Sequence, residues 1–192
     1  MQDTLTKFKK GTALIYRAIV KRLLMPLFQR WRKNNLAVIT RDDIFPVEHG
    51  AAAKIFHTAR VLSYDYDDVY LITLDREKFY IFKQGHMSEE FYPRLLRNLW
   101  YPTEGFLREQ LTAAGIPNKE SFLFFPMLDK NFNLRVLYVA LQKRINVYQA
   151  EFPAFLNATT WAYNLFRGKR AIVEHNIEFQ RIADTYHCLC RA

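Results

Sequence analysis

Apolar and polar positions along this chain fall into blocks that switch between two periods. Leu36-Ala-Val-Ile-Thr40, Val69-Tyr-Leu-Ile-Thr73, Phe79-Tyr-Ile-Phe82, Ile145-Asn-Val-Tyr-Gln-Ala150 and Ala171-Ile172-Val173 are short and rich in β-branched or aromatic residues. Such runs predict strands, most of them buried. Between them the period lengthens. Ala52, Ile55, Phe56, Ala59 and Leu62 recur at helical spacing, and His49-Gly50-Ala51 opens that helix. Residues 88–114 predict helix, with Ser88 and Thr103 as N-caps and Gly115 and Pro117 as the stop. Leu134, Leu137, Tyr138 and Leu141 give the next helical face. Leu156 to Phe166 predicts another helix, with Trp161, Ala162 and Leu165 inward and Gly168 as its stop. Phe122 to Phe125 reads as a short strand or an aromatic loop.

Strands and helices in alternation predict an α/β fold: a Rossmann-like, doubly wound, mainly parallel sheet with right-handed crossovers. Residues 35–192 make one such domain. Residues 1–34 read as a separate basic arm that forms an amphipathic helix. Leu14, Ile15, Ala18, Ile19, Leu23 and Leu24 alternate there with Arg17, Lys21 and Arg22, and Arg30, Trp31 and Arg32 follow Pro26.

Charge sharpens the picture. The 192 residues carry a formal net charge of +9. Residues 1–33 hold nine Lys/Arg against one acid, Asp3, and leave a nearly balanced remainder. An arm of that composition suits an anionic membrane face, with Arg17, Lys21, Arg22, Arg30, Trp31 and Arg32 as contacts. A solvated helix packed on the domain and a transit peptide are the competing readings. Tyr16, Phe28 and Trp31 among basic residues also resemble a stacking surface for bases, but the apolar side of the arm suits lipid better, so nucleic acid is not expected. No apolar run approaches the roughly 20 residues of a membrane span. Cys188 and Cys190 sit too close for a good disulfide, and no second pair completes a zinc site. Reduced thiols, a cytoplasmic location at the inner face of a membrane, and neither metal nor cofactor are expected. An NAD-dependent oxidoreductase is disfavoured because no G-x-G-x-x-G follows the first strand.

The most informative stretch is Arg170 to Ile182. Ala171-Ile172-Val173 is apolar, Asn176 can cap a helix, and Glu178 places negative charge in its first turn. Glu174, His175, Asn176 and Glu178 therefore crowd the carboxyl end of a strand, where ligands bind in open α/β sheets. The same four residues equally serve as a cap and a turn.

Glu174-His-Asn-Ile-Glu178 resembles the EHNIE segment in the N-terminal domain of retaining family-four glycosyltransferases with the two-domain GT-B fold. Leu36 to Thr40 with Phe45-Pro46 and His49-Gly50 resembles the family's first strand and glycine loop, although Ala51 stands where members usually carry a second glycine. Val147 to Pro153 resembles the strand whose end contacts the acceptor, with Ala150 where some relatives have His. The resemblance covers about residues 36–187 and implies the acceptor-binding half of an enzyme that transfers a sugar from a nucleotide sugar to a glycan or lipid-linked acceptor. It implies that Glu151 and His175 orient or polarise the acceptor hydroxyl. His49, Gly50, Ala51, Asn176 and Glu178 would bind substrate. The family's donor-side pair of glutamates, eight residues apart, has no counterpart, since no Glu here is followed by Glu at that spacing. The chain thus reads as half of an enzyme, truncated or split, and inactive alone. The alternative is a non-catalytic Rossmann-like module that docks on a membrane or a partner.

Overall fold

A computed structural model describes residues 33–40, 45–47, 50–98, 109, 112–115 and 130–173. It contains one six-stranded mixed sheet of order β4-β3-β2-β1-β5-β6. The strands are β1 (Asn35–Ile39), β2 (Val69–Ile72), β3 (Lys78–Lys83), β4 (His86–Phe91), β5 (Ile145–Ala150) and β6 (Lys169–Ile172). The helices are α1 (Gly50–Leu62), α2 (Arg94–Asn98), α3 (Lys130–Lys143) and α4 (Thr160–Phe166), and the 3-10 helix Pro153–Thr159 leads into α4.

β1 lies at the centre because four of its five residues are apolar, and all five are buried, Asn35 with its Nδ2 donating to Lys143 O. It pairs in parallel with β2 on one side and β5 on the other. Alternate side chains go to opposite faces. Leu36 and Val38 join Ala52, Ile55 and Ala59 of α1 in one core, with Phe56 and Leu62 packed against it. Ala37 and Ile39 join Phe132, Val136 and Val139 of α3 and Ala162 of α4 in the other. The face predicted for α1 is thus the face it buries.

Three expectations change. The sheet is partly parallel: β1 pairs in parallel with β2 and β5, and β5 with β6, but β3 runs antiparallel to β2, and the segment expected to be helical from Ser88 is strand β4, antiparallel to β3. The reason is local. Gln84 and Gly85 both have positive φ (48° and 79°). Two such residues make the tight connection whose twist matches a hairpin. Ser88, Glu89 and Glu90 then pair opposite Ile81, Tyr80 and Phe79.

The face of α3 is also turned. Leu141, expected inside, is 42% exposed, whereas Arg135 is fully buried beside Phe132, Val136 and Val139. Finally, the Ala171–Val173 run predicts a buried strand, yet among the described residues β6 pairs only with β5, and all four of its residues are exposed. Arg17, Lys21, Arg22, Arg30, Trp31 and Arg32, with the rest of the expected arm helix, lie outside the described residues, as do Phe122 to Phe125.

Candidate functional site at the carboxyl edge of the sheet

The chain order fixes where a crevice opens. From β1 it crosses to β2 on one side, and later returns through α3 to β5 on the other. The carboxyl ends of β1 and β5 therefore flank the point where the winding reverses, and ligands of open α/β sheets bind there.

Backbone hydrogen bonds tie these strand ends together. Thr40 N–H donates to Ile72 O (3.0 Å), Glu151 N–H to Ile39 O (2.9 Å) and Val173 N–H to Ala150 O (2.8 Å). Glu151, one of the expected acceptor contacts, thus sits at the reversal point. Its side chain is only 1% exposed. Its Oε1 accepts from Gln149 Nε2 at 2.6 Å. A carboxylate so enclosed is held in one orientation by its neighbours rather than left to solvent.

Gly50 and Ala51 begin α1, reached from the same end of β1. A Cβ on Gly50 would meet nothing within 4 Å, and its φ is not positive. Neither backbone conformation nor protein packing requires a glycine here. The open space at Gly50 is what close approach of an anion to the first turn of a helix needs. No acidic residue occupies the first turn of α1. Before the helix, Phe45 packs on Tyr80 (ring centroids 4.6 Å apart) and Phe56 (5.6 Å), which holds the approach to it. His49, His175, Asn176 and Glu178 lie outside the described residues. Of the expected set, the structure therefore places Glu151, Gly50 and Ala51, all at this edge.

The same edge gathers polar residues that sequence reasoning missed. Thr40 and Thr73 are buried at the ends of β1 and β2. α3 runs back toward β5, so its amino end, with buried Asn131, Asn133 and Arg135, also lies at the carboxyl edge. Arg135 Nη2 donates to Leu74 O at 3.1 Å. Its guanidinium lies 5.8 Å from the Tyr92 ring centroid and 5.5 Å from that of Phe132. A single arginine in a helix reads as a solvated face, so nothing in the sequence marked it.

Burial pushes the Tyr92 phenol well above its ordinary value of 10.0, with the Arg135 guanidinium pulling the other way. Tyr70 is also raised, first by burial and then by Asp68, whose Oδ2 accepts from its hydroxyl at 3.2 Å. Both folded-state values lie above the unfolded value, so this contribution to stability is fully present below pH ~10 and fades as pH rises through the folded values. Thermal melts taken on both sides of that pH should show a loss that is smaller in Tyr92→Phe. An equal loss in both proteins would remove Tyr92 from the account.

Charge concentrates at the opposite, amino edge. Arg167 lies 5.4 Å and Arg170 3.9 Å from the ring centroid of Tyr163 in α4. Between them, Gly168 (φ 115°) brings the chain onto β5.

The class defined by these elements is an α/β protein with a six-stranded, partly parallel sheet. No family model, curated protein or solved structure matches the chain. Among the described residues no group of three or more His, Cys, Asp or Glu could hold a metal ion, and no helix is long and apolar enough to cross a membrane.

Proposed function

We propose that the chain is the acceptor-binding half of a retaining glycosyltransferase of the GT-B kind, its sheet the doubly wound Rossmann-like half of such an enzyme. A donor-binding domain, which would hold most of the nucleotide sugar, completes it. The observation that carries this reading is the position of Glu151. Segments that resemble the family far apart in sequence, Leu36 to Thr40 and Val147 to Pro153, end side by side, joined by the Glu151-to-Ile39 hydrogen bond. In this reading Glu151 forms the floor of the acceptor site and orients a glycan hydroxyl. The amides at Gly50 and Ala51 stabilise the leaving diphosphate. His175, with Asn176 and Glu178, adds to the acceptor side, and His49 to the glycine loop. The basic arm holds the enzyme at the inner face of a membrane, near a lipid-linked acceptor.

A panel of alkyl glycosides and lipid-linked oligosaccharides, titrated into isotope-labelled full chain, tests this by amide shifts. The expected result is shifts confined to Thr40, His49 to Ala51, Ala150 to Phe152 and Glu174 to Glu178. Nucleotide sugars alone should produce weak shifts at Gly50 and Ala51 only. Glu151→Gln should weaken glycan binding roughly tenfold, as loss of one charge-assisted hydrogen bond does, while the melting temperature changes little. Shifts located elsewhere, or unchanged binding by Glu151→Gln, would sink the assignment. The other reading, a non-catalytic module that docks on a membrane or partner, is favoured by the cations at the amino edge. It predicts that no glycan in the panel binds.

A further inference from the structure

The cations at the amino edge carry an inference of their own. Arg167, Lys169 and Arg170 fall within four residues, and among the described residues none of the three makes an ion pair with a carboxylate. Two of them share one aromatic ring, that of Tyr163, at 5.4 and 3.9 Å. Two guanidinium groups held on one ring repel each other, and the ring offsets only part of that cost. An anion from outside offsets the rest.

The surroundings extend this patch. β6 pairs with β5, and β5 with β1. Lys33, just before β1, donates its backbone N–H to Arg144 O at 3.3 Å, which fixes the exit of the basic arm beside the start of β5. With strands about 4.8 Å apart, the arm exit and the start of β6 lie about 10 Å from each other, near one Debye length in physiological salt. Lys33, itself exposed, therefore adds its charge to the same edge. Leu141, in the last turn of α3 at the same edge, is 42% exposed and offers an apolar contact. The β2 side of the edge is acidic: Asp67 accepts from Asn34 N–H, and Asp68 pairs with Lys83. The positive half thus has a defined boundary.

We infer that the amino edge formed by Arg167, Lys169, Arg170 and the exit of the arm at Lys33 is a second docking surface for an anionic phospholipid bilayer. It rests on the reading of the arm as a membrane contact. It is independent of acceptor binding, which concerns the opposite edge. A bilayer suits this edge better than nucleic acid because apolar residues accompany the cations in both parts, Leu141 here and Leu14 to Leu24 in the arm. Docked this way, the protein turns its carboxyl edge away from the headgroups, toward an acceptor that projects from the membrane.

The test is co-sedimentation of the full chain with phosphatidylcholine vesicles, with and without phosphatidylglycerol. Wild type should bind only the anionic vesicles. The triple variant Arg167→Gln, Lys169→Gln, Arg170→Gln should bind roughly 10- to 100-fold more weakly, the loss expected for three charges at a membrane surface. The arm variant Lys21→Gln, Arg22→Gln should also weaken binding. If the triple variant melts lower than wild type, Lys169→Glu on the exposed edge strand carries the test, with a smaller loss expected. Wild-type binding by the edge variants, beside a defective arm variant, overturns the inference and leaves the arm reading intact. Failure of wild type to bind anionic vesicles removes both. Tighter binding of duplex DNA or RNA, lost in the same triple variant, overturns the inference in favour of a nucleic-acid partner.

Discussion

Gly168→Ala is expected to destabilise the chain by about 2–4 kcal/mol. Gly168 has φ 115°, which L side chains rarely adopt. Backbone strain of that kind costs about 1–3 kcal/mol by itself. Packing adds to it, because a Cβ would run into the carbonyl oxygen of Asn146 and lie 3.2 Å from its carbon and 3.3 Å from the Tyr148 ring. Two of those atoms are backbone of Asn146 in β5, at the point where its register with β1 shifts, so relief requires the strand itself to move rather than a side chain. The effect should appear as a lower urea midpoint, and protection of the β5–β6 amides against hydrogen exchange should fall most. Gly50→Ala is the matched control. With an ordinary φ and nothing within 4 Å, that change should leave stability equal or raise it by about 0.4–1 kcal/mol. Equal losses in the two variants would show that the turn before β6 is not constrained as described.

Arg135→Ala should cost about 2–4 kcal/mol, and Arg135→Met about 1 kcal/mol. The alanine leaves a cavity among Phe132, Tyr92 and the sheet and strips the Leu74 carbonyl of its donor. Methionine refills most of that volume with a flexible apolar chain. It also removes the cost of burying a cation, which offsets part of the lost hydrogen bond. Denaturant unfolding of the two variants decides between a packing role and an electrostatic one. A methionine variant as unstable as the alanine variant would mean that the guanidinium's polar contacts, rather than its volume, hold the amino end of α3 in place.

The legible parts of this fold are those in which local pattern and burial agree. β1, β2, β5 and the inward face of α1 follow directly from the spacing of Leu36, Val38, Ala52, Ile55 and Ala59, because a central strand and a one-sided helix each leave a clear period. β4 was not legible, since Ser88-Glu89-Glu90 has polar residues that suit a capped helix. The positive φ of Gln84 and Gly85 outweighs that preference by directing the chain into a hairpin. Arg135 was illegible for a different reason. A charged residue is buried only when a distant segment supplies partners, here Leu74 and Tyr92 from outside its own helix.

The candidate site divides in the same way. The sequence by itself determined that Glu151 ends a buried strand, that Gly50 opens a helix after another, and that the excess positive charge sits in the first 33 residues. Those are properties of contiguous stretches. Only the tertiary structure decided that the ends of β1 and β5 are neighbours, which makes Glu151 a residue of the reversal point rather than of an isolated turn. Only the tertiary structure set Arg167 and Arg170 on one ring beside the exit of the arm. The order of strands in a sheet is set by long-range pairing, and no local period in the chain encodes it.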